Sequence, residues 1–129
     1  MKALALATVV ILTAFPALAT PLATTRIAEF KAITTDRTGK ACPAADPMII
    51  FADVGRFDNE AHATGGNRIV TPARFDPATK QGAKWLSGPE GHQRLAHEVA
   101  HTCGANETEA KSVGCAAWIC DSGFNGHGG

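Results

Sequence analysis

The chain contains no tyrosine, so no phenol hydroxyl can serve any chemistry in it. Neither sign of charge is in excess: 12 Lys and Arg stand against 12 Asp and Glu, and no run of like charge stands out. A nucleic-acid binder would need a basic patch, and an electrostatic membrane binder a polybasic segment, so both classes are disfavoured. Cysteine is sparse, with four residues, and no C-x-x-C or Cys/His finger spacing occurs among them, which argues against a structural zinc finger. Only one long apolar run exists, at the N-terminus, and no internal repeat is visible.

That run reads as a secretory signal. Met1 and Lys2 give a positive start, Ala3 to Phe15 is uncharged, and Pro16 leads into Ala17-Leu18-Ala19, an A-x-A cleavage site. The run is too short for a comfortable bilayer span. A mature chain from Thr20, secreted or periplasmic and without stable membrane association, is expected. All four cysteines fall in it: Cys42, Cys103, Cys115 and Cys120. An even count in an exported chain points to two disulfides, which help a small domain whose core is modest.

The periodicity predicts one domain over residues 20–121 and a Gly-rich flexible tail over 122–129. Arg26 to Ile33 is a short helix or strand, and Thr34 to Pro47 reads as loop. Met48-Ile49-Ile50-Phe51-Ala52 is a buried strand. Asn67 to Thr71 is a second, with Pro72 stopping it or placing it at a sheet edge. Phe75 to Ser87 reads as a connection. Ser87-Gly88-Pro89-Glu90 then opens a helix, with Ser87 as cap, Glu90 completing a capping box and Pro89 in the first turn. Gly104 ends that helix in the left-handed conformation. Asn106 caps a second helix that runs to about Trp118.

The first of these two helices contains His97-Glu98-Val99-Ala100-His101, the H-E-x-x-H pattern. Residues four apart differ by about 40° in rotation and lie one turn along, so both imidazoles project from one face and can hold one ion. Glu98 lies about 100° round from His97, badly placed to ligate but well placed to take a proton from water. A third ligand is needed for a catalytic zinc site with an open position. Glu107 and Glu109 both follow the turn. On the second helix Glu107 borders the face carrying Ala110, Gly114, Ala117 and Trp118, whereas Glu109 points away, so Glu107 is the choice.

This segment resembles the zincin metallopeptidases over roughly Pro89 to Trp118. His97-Glu98-x-x-His101 matches their active-site helix. Asn106-Glu107-Thr108-Glu109-Ala110-Lys111 is similar to the N-E-x-x-[SA]-D segment of gluzincins, with Lys111 where the family carries Asp. The spacing also resembles the metzincin consensus, with Gly104 at its glycine and Glu107 in place of its last His; no methionine follows to form a Met-turn. Both alignments select Glu107. The resemblance implies an α+β fold: a small, mostly antiparallel sheet packed on the active-site helix, and a second helix carrying the third ligand. It implies Zn2+ held by His97, His101 and Glu107, with Glu98 as catalytic base, and a peptide or protein substrate aligned along an edge strand, for which Asn67 to Thr71 is the candidate. The function expected is therefore that of a secreted zinc-dependent peptidase. The alternative is a non-catalytic zinc-binding or disulfide-stabilised secreted binding module.

The other candidate residues carry simpler readings. His92, about 140° from His97 on the helix, is expected at the solvent face. His62 is a candidate to stabilise an oxyanion, a role for which no Tyr exists, and His127 lies in the glycine tail. Trp85 and Trp118 read as core. Cys42 could block zinc as a thiolate, but the even count favours a disulfide. Cys115 stands about 12 Å along its helix, too far from Cys103. The pairing favoured is Cys42–Cys103 with Cys115–Cys120, which requires the last helix to end near Trp118.

Overall fold

The computed structural model describes residues 21–53 and 61–118. The expected signal segment, the Gly-rich tail, His127 and Cys120 lie outside the described residues. The order of elements is α1 (Pro21–Thr38), β1 (Met48–Phe51), β2 (His62–Gly65), β3 (Arg68–Thr71), a 3-10 turn at Ala73–Phe75, α2 (Lys80–Ser87), α3 (Pro89–Thr102) and α4 (Glu107–Ala117). The class is α+β, as expected. Among the described residues no helix is long and apolar enough to cross a membrane.

The three strands form a mixed sheet in the order β1-β3-β2. β1 runs parallel to β3, Ile49 opposite Ile69, and β2 runs antiparallel to it, Ala63 opposite Ile69. The sheet is thus half parallel rather than mostly antiparallel. Arg68–Thr71, expected at an edge, is the central strand, and Pro72 simply follows it. β2 is an edge strand instead, as is β1. β2 lies in a polar stretch, and His62-Ala63-Thr64-Gly65 has no apolar run to mark it. Gly66 and Asn67 have φ of 61° and 56°, the two positive values of a type I′ hairpin, and they join β2 to β3.

α3 lies in the middle of the fold. It packs against α1, α2, α4, β2 and β3, and every residue from Gly91 to Ala100 is buried. Leu95, Ala96, Val99 and Ala100 join Ile27 and Phe30 of α1, Ile69 of β3, Leu86 of α2, and Ala110 and Val113 of α4 in one core. What distinguishes α3 is its polar content. His92, Gln93, Arg94, His97 and Glu98 are all buried within it. Polar groups taken out of water cost free energy unless they find partners, and packing alone would select against them.

Local chemistry explains the departures from the sequence reading. α1 extends on both sides of Arg26–Ile33. Its C-terminal part looked like loop because it is threonine-rich, but Thr34 Oγ1 donates to Phe30 O at 2.8 Å and Thr38 Oγ1 to Thr34 O at 2.7 Å. α2 interrupts the expected connection and is capped by Thr79, whose side chain accepts from the Gly82 amide. Gly82 is required there, since a Cβ would fall 1.9 Å from Asp76 O. Ser87 does not cap α3. It ends α2, donating to Lys84 O, and the N-cap of α3 is Gly88 with Pro89 next. Glu90 pairs with Arg94 at 3.1 Å instead of closing a box.

Candidate metal centre

The C-terminus of α3 builds the site. Cys103 is its cap, and Gly104 follows with φ 89°. Ala105 N–H donates to Ala100 O at 3.1 Å and Gly104 N–H to His101 O at 3.0 Å. This pair of bonds is the Schellman arrangement, which satisfies carbonyls the helix end leaves open and turns the chain back. The reversal brings the Ala105 carbonyl to 2.9 Å from His101 Nδ1. Asn106 then caps α4. Its Oδ1 accepts from Glu109 N–H at 2.8 Å, and Glu109 Oε1 accepts from Asn106 N–H at 2.9 Å. Glu109 is thereby committed to the cap. That backbone bond, with the nearby Lys40, holds its carboxyl below the usual range.

Glu107, the first residue of α4, faces the two histidines. His97 Nε2 lies 3.1 Å from Glu107 Oε1, His101 Nε2 lies 3.1 Å from Glu107 Oε2, and the two Nε2 atoms are 3.1 Å apart. Three potential donors thus converge on one point. His97 is fully buried, His101 is 21% exposed and Glu107 45%, so the cluster opens to solvent on the Glu107 side. Glu98 is 1% exposed. Its Oε2 stands 3.7 Å from His97 Nε2, and its Oε1 accepts from the Ala63 amide of β2 at 2.7 Å. Ligand atoms of His97, Glu98 and His101 all lie within 4.8 Å of one another, a group that could hold a metal ion. Between the two carboxylates, Glu107 is the nearer to His97 and touches both rings, while Glu98 has one oxygen already bound to the sheet.

The donor chemistry fits a cation. A carbonyl can only accept, so His101 Nδ1 donates to Ala105 O and its Nε2 is turned toward Glu107. Two imidazole nitrogens thus face one carboxylate at 3.1 Å, an arrangement that a shared cation satisfies. Tetrahedral ligands with bonds of about 2.0–2.2 Å stand roughly 3.3–3.6 Å apart, close to what is observed.

The remaining candidates lie elsewhere. His92, expected at the surface, is 3% exposed. It packs edge-on against Phe30 at 5.4 Å and Trp118 at 4.9 Å, and Arg26 Nη1 lies against its ring, donating to the unprotonated nitrogen. A helix surrounded on all sides has no solvent face, which is why rotation misplaced it. Burial, then the Arg26 charge, lowers its pKa from near 6.5. His62 opens β2, half-buried, one residue before the amide that holds Glu98. Trp85 stacks on Phe75 at 4.2 Å beside an open cleft at the N-terminus of α3, lined by Lys84, Pro89 and Glu90. Trp118 is 39% exposed. Cys42 is bonded to Cys103 and is no thiolate. Cys115 is also disulfide-bonded, and its expected partner lies outside the described residues. Lys111 is exposed on α4. Two main-chain groups, the Ala63 amide and the Ala105 carbonyl, escape sequence reasoning altogether, since any residue supplies them.

No family model matches the chain, and neither a characterised protein nor a solved structure matches it. The centre is therefore read from its own chemistry.

Proposed function

We propose that this protein is a secreted, zinc-dependent peptidase of the zincin kind, with the metal held by His97, His101 and Glu107. The observation that carries the reading is the mutual 3.1 Å approach of His97 Nε2, His101 Nε2 and the Glu107 carboxylate, with Glu98 beside them. Two imidazoles and one carboxylate are the ligand set of hydrolytic zinc, and a cluster open to solvent on one side leaves room for water and substrate. When bound, zinc acidifies water and polarises a carbonyl oxygen. Glu98 moves the proton. Its Oε1 is held by the Ala63 amide, so Oε2 is oriented to take a proton from water and later give it to the leaving amine. Burial of Glu98 keeps competing solvent away from that oxygen. Ala105 holds His101 with its Nε2 inward. β2, an edge strand that touches Glu98, is suited to align a peptide by main-chain pairing.

The test is the zinc content of the mature, oxidised protein beside His101→Ala and Glu98→Gln. One zinc per chain is expected in the native protein and in Glu98→Gln, and none in His101→Ala. In a peptide-hydrolysis screen Glu98→Gln should lose turnover by about 10²–10⁴-fold. No zinc in the native protein, or full turnover in Glu98→Gln, would refute the proposal. Zinc without turnover in any substrate would favour the non-catalytic binding module.

A further inference from the structure

His101 and Glu107, two of the three ligand candidates, lie on either side of a single turn. Between them are the cap Cys103, the reversal at Gly104, the Ala105 carbonyl that holds His101, and the Asn106 cap. The last turn of a helix frays most readily, because its carbonyls lack partners in the helix. Beyond the core packing of Cys103 and Ala105, a disulfide and an ion pair among the described residues hold this turn from outside it, and both come from the stretch just after α1. Cys42 is bonded to Cys103 across a sequence separation of 61. Lys40 Nζ lies 3.2 Å from Glu109 Oε1, the carboxylate that closes the α4 capping box. The ion pair is exposed and weak. The disulfide is the strong one.

We infer that the Cys42–Cys103 disulfide is a positioning device for the metal centre, and that the centre holds its metal tightly only when this bond is formed. The inference rests on the zinc-site reading above. With the bond intact, the α3 end, the Ala105 carbonyl and Glu107 are set before metal arrives. With it broken, binding must order the turn as well, and affinity falls by the cost of that ordering. Reduction cleaves the Sγ–Sγ bond and each sulfur takes up one proton, while two thiols of a glutathione-type reductant are oxidised to a disulfide. In a thiol-rich cytosol the bond does not persist; in an oxidising compartment it does. The centre therefore becomes competent after export, and the cell that makes the chain is spared its hydrolase.

The experiment measures zinc affinity of the oxidised mature chain and of Cys42→Ser/Cys103→Ser by competition with a chromophoric chelator. Serine also removes thiolates that could capture the metal. The double variant should bind zinc about tenfold or more weakly, the range found when groups orienting a ligand are lost. Leu86→Ala, a core truncation on α2 with no part in the turn, should stay within about twofold, as distant sites act independently. Because coupling is reciprocal, zinc that binds the bonded form more tightly than the reduced one must shift the equilibrium of this disulfide with glutathione toward the bonded form. That shift is read on the native chain by alkylation and peptide mapping at Cys42, and it decides the matter alone if the double variant does not fold. Equal affinity in the double variant, a matching loss in Leu86→Ala, or a redox equilibrium unmoved by zinc would overturn the inference. No zinc uptake by the oxidised native chain would instead overturn the metal-site reading beneath it.

Discussion

Gly114 marks a place where α4 lies close against α3, and Gly114→Ala tests how tightly that contact is set. A Cβ there would stand 2.9 Å from Gln93 O and 3.7 Å from His97 Cβ. Real Cβ atoms essentially never come within 3.0 Å of such an atom, and the obstacle is helix backbone, so one helix must move by a few tenths of an ångström. Two effects oppose each other. Replacing Gly by Ala in a helix gains about 1 kcal/mol of propensity, whereas overpacking a closed interface costs about 1–3 kcal/mol. The net expectation is a loss of roughly 1 kcal/mol, with Gly114→Val losing several, because β-branching adds bulk where none fits. Urea unfolding of the apo chain reads this directly. The second readout is zinc affinity. Gly114 is two turns along from Glu107 on α4, so a displaced helix carries Glu107 away from His97 and His101, and affinity should fall even where stability falls little. A Gly114→Ala protein that gains the full propensity increment and binds zinc as tightly as the native chain would refute the idea that this helix contact sets the ligand geometry.

Gly91→Ala should be worse, because its Cβ would meet Trp85 O at 2.1 Å; a loss of about 3 kcal/mol or more is expected in a thermal or urea melt, and any gain in stability would contradict the packing described. His92 predicts a pH dependence. Its folded pKa lies below the unfolded value near 6.5, first through burial and then through Arg26, with Glu29 opposing. The unfolded chain therefore takes up the proton first, and the contribution is complete above about pH 6.5 and lost as pH falls below it. The stability difference between the native chain and His92→Gln should shrink on acidification across that range, and a difference independent of pH would exclude the buried neutral imidazole.

The parts of the structure that were legible in the sequence are those written in short-range chemistry. Gly104 and Asn106 announced the α3–α4 turn because an αL glycine and an Asn cap act on their immediate neighbours. The H-E-x-x-H spacing put two imidazoles on one face for the same reason, and the wheel of α4 turned Glu107 inward and Glu109 away. What failed depended on distance along the chain. Strand order is a tertiary property, so nothing in Arg68–Thr71 distinguished a central strand from an edge one. His92 needed knowledge that α1 and the end of α4 close over α3. Phe75 to Ser87 reads as a connection, yet it holds α2, whose Gly82 lies where Asp76 approaches too closely for any side chain. Ser87 and Glu90 resembled a capping box, but α2 had already claimed Ser87.

The strand order β1-β3-β2 also bears on how the chain is assembled. β2 and β3 are joined by a two-residue turn and can zip together within about 1–10 μs, the time scale of a hairpin. β1 is made earlier but has no partner until β3 exists, and the chain must then close a longer loop to reach it. Until that moment Met48-Ile49-Ile50-Phe51 is an apolar segment with free backbone donors and acceptors, the kind that pairs with copies of itself. Even in the finished sheet it stays on an edge, with Met48 62% exposed. Self-association during folding should therefore begin at β1, and a charged residue in place of Met48 should raise the yield of soluble protein without touching the metal centre.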